Sequence, residues 1–207
     1  MGTLAPNAAL LLIDLQKGFD EPGWGRRNNP QLELRIAELL GAWRASKRPV
    51  IHARHMSTSH ASPLRPGQPG NEFKDQTGPI AGEPVIQKRV NNCFIGTALE
   101  LHLRRSGYHA LVIAGLTTNH CVSTTARMAA NLGFTTWVVS DATATFDRVG
   151  PDGINYPAEQ IQAIALSDLH GEFATVIDTR TVIGKLASGA ASHARRRAVS
   201  PGAREGG

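Results

Sequence analysis

The feature that most constrains this fold is a rhythm of short, continuously apolar runs, each followed by a stretch with apolar residues at helical spacing. The runs are Ala8–Asp14, Pro49–His55, Pro84–Lys88, Ala110–Leu116, Thr135–Asp141 and Ala174–Asp178. A run that is apolar throughout, rather than at every second residue, predicts a strand buried on both faces. Between the runs, Asn29-Pro30 opens a predicted helix carrying Leu32, Ile36, Leu39, Leu40 and Trp43 on one face. Further helices are predicted over Gly96–Ser106, from near Cys121, from Pro157, and in a last short piece to about Ala187. Strands alternating with helices imply an α/β fold, a parallel sheet with helices on both faces. No repeat, heptad or second domain interrupts the pattern. The expected domain is 1–187, followed by a basic tail over 188–207 that is expected to be disordered.

The net charge of +5 invites a nucleic-acid reading, but its location argues against one. Lys185, Arg195, Arg196, Arg197 and Arg204 against Glu205 give residues 185–207 a net +4, which leaves +1 for the rest. That segment is rich in Gly, Ala, Ser and Arg and lacks the apolar content to fold. No nucleic-acid partner is therefore expected. The longest apolar run soon reaches Asp14, far short of a membrane span. The N-terminus lacks the basic start and cleavage site of a signal peptide, so a cytoplasmic protein is expected. The two cysteines, Cys93 and Cys121, carry no spacing that suggests a disulfide.

In open parallel sheets, sites lie beyond the carboxyl ends of the strands. Asp14 follows the first predicted strand, Lys88 the third and Cys121 the fourth. Cys121 is expected in the first turn of a helix capped by Thr118 or Asn119, where the helix N-terminus and an ammonium such as Lys88 would favour thiolate. Asp14 would take the thiol proton, and the N–H groups of Thr117 and Cys121 would serve a developing oxyanion. Each residue alone has a plainer reading: a small buried hydrophobe for the cysteine, a turn cap for the aspartate, a solvated edge for the lysine. Together they form the parts of a covalent acyl-transfer site.

The motifs LLIDLQKGF around Asp14, GEPVIQKRVNNCFIGTALE around Lys88, AGLTTNHCVSTTARMAANLGF around Cys121, and VVSDATATF near Asp141 fall in one order along residues 8–180. In this the chain resembles the isochorismatase-like cysteine hydrolases, which include nicotinamidases and N-carbamoylsarcosine amidohydrolases. The resemblance implies an Asp14–Lys88–Cys121 triad and a three-layer α/β/α fold with a six-stranded parallel sheet in the order 3-2-1-4-5-6. It also implies a cis peptide at Leu116–Thr117, a thioester intermediate and a homodimer or homotetramer; no cofactor is expected. The isochorismate-cleaving branch lacks the cysteine, so Cys121 points to an amidase-type reaction. Nicotinamidases carry a metal-binding Asp-x-His pair after the second strand. Here that segment reads IHARHMSTSH, with His52, His55 and His60 but no Asp, and no metal is expected.

Phe19, Trp24, Arg54, His55, Asn92, Phe94 and His120 lie near the predicted strand ends and are candidates to bind substrate. Cys93 is expected to be packing. The proline- and glycine-rich stretch Met56–Glu83 reads as a lid or binding loop. Part of it, HMSTSHASPLRPGQPGNEFKD, is similar to the subgroup containing streptothricin hydrolase, which opens a cyclic amide. The leading expectation is an amide, ureide or lactam hydrolase. A thiol-redox protein using Cys121 and Cys93, or a non-enzymatic binding module, are the rival classes.

Overall fold

The computed structural model describes residues 4–187. The predicted tail lies outside the described residues. Strands β1 (Ala9–Ile13), β2 (Val50–His55), β3 (Val85–Lys88), β4 (Ala110–Leu116), β5 (Thr135–Ala144) and β8 (Thr175–Ile177) form one sheet in the order β3-β2-β1-β4-β5-β8, and every neighbouring pair is parallel. The sixth strand of the sheet is the eighth in the chain. Two short strands, β6 (Arg148–Val149) and β7 (Asn155–Tyr156), make a separate antiparallel ribbon before it.

The helices are α1 (Leu32–Ala45), α2 (Leu99–Arg105), α3 (Ser123–Asn131) and α4 (Ala158–Leu169), with a further helix, α5, over 179–187. Strand alternation divides the core between two faces. Leu10 and Leu12 of β1 meet Leu32, Ile36, Leu39, Leu40 and Trp43 of α1 and Val182 and Leu186 of α5. Ala9, Leu11 and Ile13 point the other way, into a cluster with Leu99, Leu103, Ala126, Ala129 and Leu169. Each large side chain so buried contributes about 1.5–3 kcal/mol. Trp43 also donates its indole N–H to the Ala8 carbonyl, at 3.1 Å, so its one polar atom is not stranded. This is the three-layer arrangement implied by the sequence.

The two central strands approach closely at their carboxyl ends. Gly115 pairs with Ile13, and a Cβ built there would stand 2.1 Å from the Ile13 carbonyl oxygen. Its φ of +121° is also open to glycine alone. Only glycine lets β4 approach β1 at the level where the chain leaves both strands.

Residues 56–83 are a fixed wall rather than a free lid. The Gln16 side chain brackets His55, accepting its N–H at 2.8 Å and donating to its carbonyl at 3.1 Å. Asn71, also buried, donates to the carbonyls of His55 and Leu64. Gly70 lies so close to Gly18 that a Cβ on it would come within 2.9 Å of the Gly18 Cα.

Candidate active site

Asp14 takes a left-handed conformation, φ 53°, directly after β1. Asp is among the few residues that tolerate this, at roughly 1–2 kcal/mol. The turn ends the strand and leaves the carboxylate at the sheet edge. Lys88 is the last residue of β3, two strands away, a distance of about 9–10 Å across the sheet. Its long stem covers that gap. Lys88 and His55 are register partners in the β2–β3 pairing, so their side chains share a face.

The result is a buried cluster around one ammonium. Lys88 Nζ donates to Asp14 Oδ2 at 2.6 Å, to Cys121 Sγ at 3.4 Å, and to His55 Nδ1 at 3.1 Å. With Nδ1 accepting, the His55 ring carries its proton on Nε2. Asp14, Lys88 and Cys121 are 0%, 1% and 6% exposed. The second oxygen of Asp14, Oδ1, is buried without a hydrogen-bond partner. The ligand atoms of Asp14, His55 and Cys121 lie within 4.8 Å of one another, a donor set that would suit a metal. Lys88 Nζ already touches each of those residues, so the chain supplies its own cation at that point. The other two histidines of the IHARHMSTSH segment turn away: His52 pairs with Glu83 at 2.9 Å, and His60 is exposed.

Cys121 sits in a π-helical turn, Thr118–Val122, that leads into α3. Neither Thr118 nor Asn119 caps it with a side chain, contrary to the expectation from sequence. Thr118 Oγ1 donates instead to Gln162 Oε1, and Asn119 Oδ1 accepts from Thr145 Oγ1. The expected thiolate is corrected as well. Burial, and then the Asp14 carboxylate, push the Cys121 thiol well above its ordinary range, and Lys88 only partly opposes them. Burial works against the charge on Lys88, but Asp14 and the neighbouring sulfur more than offset it and hold the ammonium above its usual value. Burial therefore favours the neutral thiol on Cys121, and the neighbouring negative groups favour the ammonium on Lys88. The Leu116–Thr117 peptide bond is cis.

A cavity of about 480 Å³ opens above this cluster, a size suited to a small organic molecule. Asp14, Cys121 and Thr117 lie on it, as do four of the expected substrate contacts: Phe19, Trp24, His55 and His120. The other three lie outside. Arg54 donates to the Asn71 carbonyl at 3.0 Å and lies over the Phe73 ring. Asn92 caps its own loop, accepting from the Phe94 N–H and donating to Thr124. Phe94 stacks on Phe134 in the core. Asn91 takes the place expected of Asn92, lining the cavity within 3.7 Å of Cys121 Sγ.

The segment 145–149 after β5 was missed, although it also lines the cavity. Phe146 stacks with Phe19 and Trp24 there, ring centroids 6.2 and 5.6 Å away. The signal that would have found it is the strand-end rule applied to β5, which runs to Ala144 rather than stopping at Asp141. Cys93 is fully buried, takes the Thr125 hydroxyl on its backbone N–H, and forms no disulfide with Cys121.

The family model described as the isochorismatase domain matches residues 8–181. The chain belongs to the isochorismatase family. The isochorismatase family protein YrdC of Bacillus subtilis, itself uncharacterized, is 43% identical over 175 residues, 84% of this chain and 94% of that one. A structure from Chromobacterium violaceum, assigned to the isochorismatase family as a hydrolase, superposes with a TM-score of 0.87 at 42% identity, over 91% of this chain and 99% of that one. Streptothricin hydrolase of Streptomyces noursei is 31% identical over 153 residues, 73% of this chain and 60% of that protein. Two of these three relatives, the Chromobacterium violaceum structure and streptothricin hydrolase, carry hydrolysis in their names. Among the described residues no helix is long and apolar enough to cross a membrane.

Proposed function

We propose that the protein is a cysteine hydrolase that cleaves a C–N amide or lactam bond of a small molecule through a thioester on Cys121. The observation that carries this is the single ammonium touching both Asp14 and Cys121, beside an Asp14 oxygen left without a partner. That oxygen, with no partner of its own, receives the thiol proton in this reading. Cys121 Sγ then attacks the carbonyl carbon, and Lys88 balances the charge as the proton moves to Asp14. The oxyanion is taken by the N–H groups of Thr117 and Cys121. The C–N bond breaks as Asp14 returns the proton to the departing nitrogen. Water attacks the thioester, giving one proton to Asp14, which passes it back to the sulfur as the acid leaves.

A thiol that is protonated at rest fits this order of events. The nucleophile is made only when substrate fills the cavity, so the site is spared adventitious oxidation. The likeness to streptothricin hydrolase keeps cyclic amides within the substrate range. The test is a screen of small amides, ureides and lactams for ammonia or amine release, beside the Cys121→Ala variant. Release that depends on Cys121, with a trapped acyl mass on the wild-type chain, is the expected result. Turnover that survives the substitution overturns the proposal.

A further inference from the structure

The cavity holds one charge that this chemistry does not use. Besides the nucleophile Cys121, its titratable lining groups are Asp14, His55, His120, Asp147 and Arg148. Asp14 is taken by Lys88. Asp147 is spent as well: Arg26 donates to both of its oxygens at 3.1 and 2.8 Å, and the Ala158 N–H shares one of them. His55 is held below its ordinary value by burial and then by Lys88, and His120 by burial and then by Arg148, so both rings are neutral at pH 7. Arg148 remains. It is exposed on the rim, and although its backbone pairs with Tyr156, its side chain has no ion-pair or hydrogen-bond partner among the described residues. Its field reaches His120, the residue next to the nucleophile.

Resting on the hydrolase reading above, we propose that Arg148 binds a carboxylate on the non-reacting part of the substrate, so that the substrates are small amides, ureides or lactams that also carry an acid. A guanidinium presents two parallel N–H donors to a carboxylate, and no described residue uses them here. The anion's counter-charge has no rival in the cavity, since both acidic side chains are already paired. The aromatic group of Phe19, Trp24 and Phe146 supplies an apolar wall for the carbon frame between the acid and the scissile bond. A cationic substrate would meet an uncompensated positive charge at the entrance.

The experiment needs no known substrate. Cys121 is alkylated with N-bromoacetylglycine and, separately, with its uncharged amide, in wild type and in Arg148→Gln, Arg148→Lys and Arg148→Glu. Thermal melting confirms that each variant is folded. The rate ratio of the acid to the amide is expected to fall about tenfold or more in Arg148→Gln, to be partly kept in Arg148→Lys, and to fall further in Arg148→Glu. An unchanged ratio in folded Arg148→Gln overturns the proposal. The same comparison in turnover uses succinamate against its methyl ester, read as a ratio of kcat/KM. A cavity that hydrolyses neutral amides at least as well as acidic ones, with a ratio indifferent to Arg148, sinks the carboxylate assignment and leaves the hydrolase reading standing. A chain that alkylates with the expected selectivity but turns over no amide sinks the hydrolase reading instead.

Discussion

Asp14, Lys88 and Cys121, at the floor of the cavity, are almost wholly buried, whereas Arg148 and Val149 on its rim stand in solvent, Val149 at 69% exposure. The floor is assembled from the ends of neighbouring strands, where register fixes which side chains meet, as it does for His55 and Lys88. The rim comes from the loop 56–83 and the segment after β5, where Arg148 and Val149 pair only with the short strand β7 in a ribbon separate from the main sheet. The lesson of the difference is a division of labour. Strand register holds the reacting atoms to within tenths of an ångström, and loop sequence is left free to choose what is held above them. Substitutions on the floor should change rate, and those on the rim should change preference.

The largest effect tests the floor directly. Cys121→Ala is expected to lower kcat by about a thousandfold or more, because no other group on the floor is a nucleophile. It should also abolish single-site labelling by iodoacetamide, since Cys93 is fully buried. Labelling of the wild type carries a pH signature. The Cys121 thiol is held above its usual range, so the rate should keep rising as pH passes about 9. A plateau near neutrality would mean a resting thiolate and would break the account of the floor.

Next comes the backbone that brings the two central strands together. Gly115→Ala places a Cβ against the Ile13 carbonyl at a φ that an L side chain rarely adopts. A loss of about 3 kcal/mol or more in urea unfolding is expected, with lost activity in proportion. A stable, active Gly115→Ala protein would show that the close approach of β1 and β4 is not what positions Asp14. A smaller effect belongs to His55→Ala, which leaves one Lys88 N–H buried without its acceptor. A fall in kcat of about tenfold is expected, with KM little changed, measured on any substrate the screen yields. A change confined to KM would move His55 from the floor to the rim.

The same contrast decides how much of the molecule was legible in its sequence. Six continuous apolar runs gave up the sheet, and the residues at their ends, Asp14, Lys88 and Cys121, gave up the floor, because strand ends in a parallel sheet converge for topological reasons. The exact order of the strands, and the cis peptide at Leu116–Thr117, came only through resemblance to a family. The rim resisted for local reasons. β5 runs on through Ser140, Asp141 and Thr143, polar residues that disguise a strand, so its true end and the lining residues Thr145–Val149 were hidden. Asn92 and Asn91 differ by one position, and which of two adjacent asparagines faces a cavity depends on a turn that composition does not specify. From the sequence, a helix N-terminus and the Lys88 ammonium were expected to favour thiolate, whereas burial and the Asp14 carboxylate push the Cys121 thiol the other way and Lys88 only partly opposes them.

Arg54 is where the smallest effect carries the sharpest test. It sits beside His55 on the same strand, and proximity in sequence suggested that both contact substrate. Successive residues of a strand face opposite ways, so when His55 turns to the cavity Arg54 cannot. It lies over Phe73 with its Nε–H on the Asn71 carbonyl. Arg54→Ala should cost about 0.5–1.5 kcal/mol in stability, for one hydrogen bond and one partly exposed cation–π contact. Its kcat and KM should stay within about twofold of wild type, and its acid-to-amide alkylation ratio should not move. An Arg54→Ala protein that lost the preference for acids would transfer the carboxylate contact from the turn after β5 to the second strand. Selectivity would then be set by strand register as well, and the division between floor and rim would fail at the position where the two arginines make it testable.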